Sequence, residues 1–339
     1  MNKEQRRVTV RDVARLAGVS PATASRALSG SVPVSAELQR KVLRASAELG
    51  WSANALARAL RTQRTDTIGI VVPAVNNPYF MAVVDVLEAE LAASDRSLIV
   101  CDSRDSAEIE ARRIDLLVSR MVDGLVVVPS SGAESLPALK RASDRVPTVL
   151  VDRWVEGAGL DFVGADNAEG MRLVVEHLTD AGVRSVAFVG ARTTTSTAAG
   201  RLAAFREQAD QHQLRVVAEE LGEYSFAWGE TAARRLLAGE LPDAVVCGAD
   251  IVACGVLNLL HQAGVPVPGR LRVAGFDDLP LDQITYPPLT SVRQAMAEQA
   301  HEALRLLDAR AEDPSRPSSR SVFAPSLVVR ESSPKGGAA

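Results

Sequence analysis

The chain has 339 residues, enough for two or three domains with a sizeable buried core. Apolar residues make up 47% and charged residues 24%, the balance of a globular protein, and no apolar run approaches the ~20 residues that span a bilayer. The net charge of −4 is unevenly spread: the first 64 residues carry 12 Lys or Arg against 4 Asp or Glu, so a basic head precedes an acidic body, as when a nucleic-acid-binding module is joined to a separate domain.

The N-terminus, MNKEQRRVTVRD, has no apolar segment behind its basic residues, which argues against a secretory signal. Cys101, Cys247 and Cys254 are too few and scattered for a disulfide framework or a metal cluster and read as buried thiols in a reducing compartment. The expectation is therefore a cytoplasmic protein with no membrane segment, metal or cofactor.

In chain order, Thr9-Val-Arg-Asp12 has the pattern of a helix capping box, and Gly18 breaks the helix that follows. Ser20 suits an N-cap and Pro21 a first helical position, so a second helix begins after a short turn, as in a helix-turn-helix. Its Ala24, Ala27 and Leu28 share one face, and Ala22, Ser25 and Arg26 the opposite one. A third helix starts at Ser35, with Leu38, Val42, Ala45 and Leu49 as its apolar stripe. The stretch WSANALARALRTQRTDT favours helix but is too short to be stable alone, which suits a linker that folds against a phosphate backbone and a partner chain.

From Thr67 the chain alternates short β-branched runs with amphipathic helical stretches. TIGIVVP, SLIVCD, DGLVVVP, PTVLVD, DFVGAD, SVAFVG, AVVCGA and RVAGFDD read as strands buried on both faces, with candidate helices at 80–92, 107–120, 168–181 and 251–263. This is a doubly wound α/β body in two lobes, with ligand expected at the carboxyl ends of strands. Asn76, Asn77, Asp152, Arg153, Asp166, Asn167, Asp250 and Asp277 cluster there. Enzyme signatures are missing: residues 157–162 lack the third glycine of a dinucleotide fingerprint, GARTTTST lacks a P-loop lysine, and there is no GxSxG elbow. His177, His212, His261 and His301 are isolated, so neither catalytic nor metal-ligating residues are expected.

The chain resembles the lactose-repressor/galactose-repressor family of bacterial transcription regulators over nearly its full length. VTVRDVARLAGVSPATASRAL and VSAELQRKVLRASAELGWSANALARAL carry the likeness in the head. In the body, IGIVVPAVNNPYF, RMVDGLVVVPS, VLVDR, DNAEG, RLAAF, GADIVACG, VAGFDD and YPPLTSVRQ carry it. The resemblance implies a three-helix DNA-binding head (1–52), a hinge helix and linker (53–65) and a body like periplasmic sugar-binding proteins (66–330). The body would have one lobe at about 66–163 and 290–321 and the other at about 164–289 and 322–330, with crossings near Gly164, Leu289 and Val322. Residues 331–339 would be a flexible tail without heptads.

It further implies a homodimer on a near-palindromic DNA operator, controlled allosterically by a small ligand, a sugar or nucleoside, in the cleft. By position, Pro21, Ala22 and Arg26 fall where the family reads bases, and Thr9, Ser20, Thr23, Ser25 and Ser35 where it contacts phosphates. Asn54, Ala57 and Leu60 fall in the hinge, with Leu60 as the minor-groove wedge. Tyr79, Phe80, Asp152, Arg201, Tyr224, Asp250 and Asp277 fall at ligand-facing positions. Such a set suits a sugar or nucleoside, because aromatic faces stack on an apolar ring face while Asp and Arg pair with hydroxyls. Ala24, Ser29, Ala249 and the hydroxyl-rich 193–197 depart from the family pattern. The competing readings are a solute-binding protein of transport, opposed by the basic head and missing export signal, and an enzyme fused to a DNA-binding head, opposed by the missing phosphate-cradling loop.

Overall fold

The computed structural model describes residues 8–29, 34–49 and 64–334. Contacts divide the chain into two compact units, Met1–Thr65 and Asp66–Ala339.

The first unit contains α1 (Val10–Ala17), α2 (Pro21–Ser29) and α3 (Ala36–Glu48). The capping box at α1 forms: the Asp12 amide donates to Thr9 Oγ1, and the Thr9 amide donates to Asp12 Oδ2. Gly18 ends the helix at φ +66, a conformation that a side chain would strain. Ser20 Oγ accepts the Thr23 amide at 3.1 Å, and Ser35 Oγ accepts that of Leu38 at 3.4 Å. Val13, Ala14, Ala24, Ala27, Val42 and Ala45 form the core, and two inward alanines on α2 allow close helix approach.

In the second unit, β1 (Thr67–Val72), β2 (Ser97–Asp102), β3 (Gly124–Val127), β4 (Thr148–Val151) and β5 (Asp161–Ala165) belong to one six-stranded sheet, completed by β11 (Arg320–Phe323). Its order is β11-β5-β4-β3-β1-β2, with every neighbouring pair parallel. Helices α4 (Pro78–Ala92) and α11 (Met296–Glu312) cover one face, while α5 (Ala107–Ser119) and α6 (Leu136–Ser143) cover the other.

The second sheet runs β12-β10-β9-β8-β6-β7. Its strands are β6 (Ser185–Ala191), β7 (Arg215–Gly222), β8 (Ala244–Cys247), β9 (Arg272–Asp277), β10 (Thr290–Arg293) and β12 (Ser326–Val328). Only the β10–β12 pair is antiparallel. Helices α7 (Asn167–Asp180) and α8 (Ser196–Gln211) pack on one face, and α9 (Phe226–Ala238) and α10 (Asp250–Gln262) on the other.

Several expectations need correction. SLIVCD is not buried on both faces: β2 is an edge strand, with Ile99 and Val100 exposed. Residues 290–293 do not belong to the first lobe, because β10 pairs with β9 from Thr290↔Ala274 to Arg293↔Asp277. The chain therefore crosses between lobes at 166, at 294–295 and at 324–325, a few residues beyond the expected points. At each crossing, ladder pairing carries the strand past the expected point, to Ala165, Arg293 and Phe323. The tail from 331 is not wholly free either. Ser332 and Ser333 are buried, Ser332 Oγ donates to the Val273 carbonyl at 2.6 Å, and the Thr290 amide donates to Ser332 Oγ at 2.8 Å. These bonds satisfy backbone groups that burial would otherwise leave unpaired.

Candidate functional site: a cleft between the lobes and an exposed helix face

The carboxyl ends of both sheets converge on a cleft lined by Asn77, Tyr79, Phe80, Asp152, Arg153, Thr197, Arg201, Tyr224, Ala249 and Asp277. Its empty space is about 250 Å³ with the open mouth included. The four charged residues are almost wholly enclosed: Asp152 is 6% exposed, Arg153 4%, Arg201 3% and Asp277 4%.

Local structure explains each placement. Asn77 caps α4 by accepting the Tyr79 amide at 3.0 Å, which turns Tyr79 and Phe80 inward as an edge-to-face pair with centroids 5.3 Å apart. Asp152 follows β4 at φ +65 and Asp277 ends β9 at φ +130, two side chains held at strained backbone positions on the cleft wall. Arg201, on α8, donates to Asn167 Oδ1 at 2.7 Å and to the Gly248 carbonyl at 2.6 Å. Its guanidinium lies 3.6 Å from Asp277 Oδ1 and 3.6 Å above the Phe276 ring.

Within the first lobe Tyr79 Oη donates to Asp152 Oδ1 at 2.9 Å; it also lies 3.4 Å from Gln294 Oε1 at the crossing, and Gln294 Nε2 donates to Asp277 Oδ1 of the second lobe at 2.8 Å. Thr197 Oγ1 donates to the Asp152 carbonyl at 3.0 Å, the Trp154 amide to Ser196 Oγ at 2.9 Å, and the Gly132 amide to the Thr194 carbonyl at 2.9 Å. The hydroxyl-rich 193–197 segment thus joins the lobes along one rim. Burial holds the Tyr79 hydroxyl well above its usual pKa and pushes the Asp277 carboxyl well up, against the pull of Arg201. With two acids, two arginines, Tyr and Thr hydroxyls and an Asn amide on its wall, the cleft offers both donors and acceptors to a hydroxyl-bearing ligand.

Six of the seven expected ligand-facing residues come together: Tyr79, Phe80, Asp152, Arg201, Tyr224 and Asp277. Asp250 does not line the cleft. It has no exposed surface, and its carboxyl accepts from Ser291 Oγ at 2.6 Å and from the Leu279 amide at 3.3 Å. Its position at the start of α10 turns it under the β9 strand end instead, and Ala249 takes the wall position. Asn77, Arg153, Thr197 and Gln294 join them as wall or crossing residues. Asn77 and Arg153 belong to the strand-end cluster read from the sequence and Thr197 to the hydroxyl-rich 193–197 segment, whereas Gln294 was not singled out. Gln294 follows β10, whose four residues have no alternating pattern to mark a strand end.

In the head, Pro21, Ala22, Ser25 and Arg26 are exposed on one face of α2, and Arg26 Nε donates back to the Ala22 carbonyl at 3.3 Å. Ser20 and Ser35 each use an acceptor lone pair as caps, and Thr23 shares a 2.8 Å hydroxyl contact with Ser20. Thr9 Oγ1 already donates to Asp12 Oδ2 at 2.7 Å, so its hydroxyl proton is committed to the capping box in this geometry. Asn54, Ala57 and Leu60 lie outside the described residues.

A helix-turn-helix head followed in sequence by a two-lobed body with a closed polar cleft defines a DNA-binding regulator whose body follows the periplasmic-binding-protein plan. The family of bacterial regulatory proteins named for lacI matches residues 9–54, and the periplasmic binding protein-like domain matches residues 175–333. The ribose operon repressor of Haemophilus influenzae is 31% identical over 327 residues, covering 96% of this chain and 98% of that one. The HTH-type transcriptional repressor PurR of Mannheimia succiniciproducens is 30% identical over 327 residues, with the same shares of 96% and 98%. In fold, the lac repressor dimer bound to operator and the anti-inducer ONPF superposes with a TM-score of 0.88 at 24% identity, covering 97% of this chain and 100% of that one. The chain belongs to the LacI family. It is a ligand-controlled transcriptional repressor of that type rather than an enzyme.

Proposed function

We propose that the effector is a monosaccharide or a sugar derivative of similar size, enclosed between the lobes, and that its binding alters affinity for a near-palindromic operator. The observation that carries this reading is the lining of the cleft: two acids, two arginines and the aromatic Tyr79, Phe80 and Tyr224 face one enclosed space, groups that pair with hydroxyls and stack on a ring face. The ribose operon repressor similarity points the same way.

Tyr79, Phe80, Asp152, Arg201, Tyr224 and Asp277 hold the sugar in this reading, with Asn77, Arg153, Thr197 and Gln294 beside them. Pro21, Ala22 and Arg26 read bases. Ser20, Thr23, Ser25 and Ser35 contact phosphates, as does the Thr9 backbone region, and Asn54, Ala57 and Leu60 enter the minor groove. The protein acts in the cytoplasm, where its DNA is, as a homodimer. Exposed apolar side chains support the dimer: Met81, Ile99 and Val100 on the first lobe, Ile284 and Tyr286 on the second. The dimeric state of the fold relative agrees with it.

The test is a thermal-shift screen of monosaccharides, followed by titration of each hit into operator DNA complexes. A sugar at 100 times its Kd adds about 2.7 kcal/mol to stability. Arg201→Met should raise its Kd at least about tenfold, because a charged donor with buried partners is lost. Stabilisation by nucleosides alone would overturn the sugar assignment, and a hit that left operator affinity unchanged would overturn the control.

A further inference from the structure

Glu110 occupies the first turn of α5, a place where an acid normally faces solvent and favours the helix dipole. Here it has no exposed surface. Its Oε2 accepts the Ser130 amide at 2.6 Å. Burial pushes its pKa up, and the Ser135 and Ser130 groups with the Arg153 guanidinium offset part of that. Ser130 Oγ lies 2.8 Å from Ser103 Oγ, which also donates to the Val72 carbonyl at 3.1 Å. The loop after β3 is thus pinned at Ser130 from α5 and from the end of β2.

That loop has two outputs. The Pro129 carbonyl accepts from Arg153 Nη1 at 3.0 Å, fixing a guanidinium on the cleft wall. Two residues past Ser130, the Gly132 amide donates to the Thr194 carbonyl of the other lobe. Arg153 is otherwise held by longer contacts: its Nε lies 3.6 Å from Asp152 Oδ2, Asp105 Oδ1 lies 3.7 Å from Nη1, and its guanidinium sits 5.4 Å from the centroid of the Phe80 ring.

We propose that Glu110 is a positioning residue for lobe closure: by fixing Ser130 it orients Arg153 and holds Gly132 against Thr194. It lines neither the cleft nor the other lobe and acts through the loop, with its carboxyl also close enough to interact with the Arg153 guanidinium. The consequence for effector affinity rests on the effector site proposed above, whereas the control of closure does not.

Closure has its own reporter, since the Trp154 amide donates to Ser196 Oγ of the other lobe and makes no bond to the 128–135 loop. Residue-resolved hydrogen exchange on the full-length, effector-free protein reads it. Glu110→Leu leaves the Ser130 amide buried without an acceptor and should lower protection at Gly132 and Trp154 about tenfold, with the core strand amide of Val126 unchanged. Glu110→Gln keeps a carbonyl acceptor and should restore protection at both. Ser103→Ala, a milder cut of the same anchor, should lower Trp154 protection about threefold, and it serves if the leucine variant does not fold. The proposal is overturned if Trp154 protection is unchanged in both the leucine and Ser103 variants. It is also overturned if protection falls equally at Val126, because a loss of general stability then explains the effect.

Discussion

Replacing Asp282 by Asn tests the electrostatics beneath the cleft. Asp282 lies in a short 3-10 turn, Pro280–Gln283, and Asp250 opens α10; neither carboxyl has exposed surface. Burial, and then the negative Asp250 beside it, pushes the Asp282 carboxyl from 3.8 up to about 10. The folded protein therefore keeps a proton that the unfolded chain releases above about pH 4, and stability falls as pH rises from there towards about 10. One full proton is worth about 1.36 kcal/mol per pH unit, so the step from pH 5 to pH 8 costs up to about 4 kcal/mol, and about half of that if Asp250 takes up the difference. Asn has the same shape and no proton to lose. Urea unfolding followed by the fluorescence of Trp154 and Trp228 should show wild type losing about 2–4 kcal/mol more than Asp282→Asn between those pH values. Equal losses, within about 0.5 kcal/mol, would refute the argument that this buried acid is held neutral.

Two further substitutions probe other parts of the chain. Arg26→Ala should cost about 1–3 kcal/mol of operator affinity and relax preference at one base position per half-site, measured by binding to a panel of single-base operator variants. A uniform loss across the panel would make Arg26 a phosphate contact. Gly229→Ala tests the crossing of α9 and α10, where an added Cβ would sit 2.1 Å from the Val252 carbonyl. That overlap is with backbone, which has little room to yield, so about 3 kcal/mol or more of stability should be lost in thermal melting. An unchanged Tm would mean that the two helices do not approach so closely.

The parts legible in the sequence are those written in local chemistry. Thr9, Gly18, Ser20 and Ser35 punctuate the head, and the observed caps fall where those residues stand. Runs such as SVAFVG are buried along their whole length, as central parallel strands must be. The edge strand β2 has the same composition, but composition does not say which strand lies outermost. The crossings after β5, β10 and β11 were hidden for a related reason, since pairing partners outside the local run decide where each strand ends: β5 with β11 at Phe162↔Arg320, and β10 with β12 at Ser291↔Val328. Asp250 shows the limit most clearly. It stands beside a strand end as Asp152 and Asp277 do, yet one peptide of offset points its carboxyl at Ser291 instead of into the cleft. Sequence position gives the neighbourhood, and backbone direction gives the facing.

The cleft wall also bears on selectivity. Thr197, Asp152, Tyr79, Gln294, Asp277, Arg201 and Asn167 form a continuous polar chain that leaves the second lobe at Thr197, runs through Asp152 and Tyr79 of the first, and returns to the second by way of Gln294 at the crossing. A bound sugar must replace or extend these bonds, because each buried polar group left unpaired costs about 1–3 kcal/mol. Such a site rejects an analogue that lacks a hydroxyl far more strongly than one that carries an extra methylene. The same arithmetic sets the scale of control. An operator affinity change of about 100-fold needs only about 2.7 kcal/mol of difference between the two lobe arrangements. One or two members of this chain, paired in one arrangement and unpaired in the other, supply that amount.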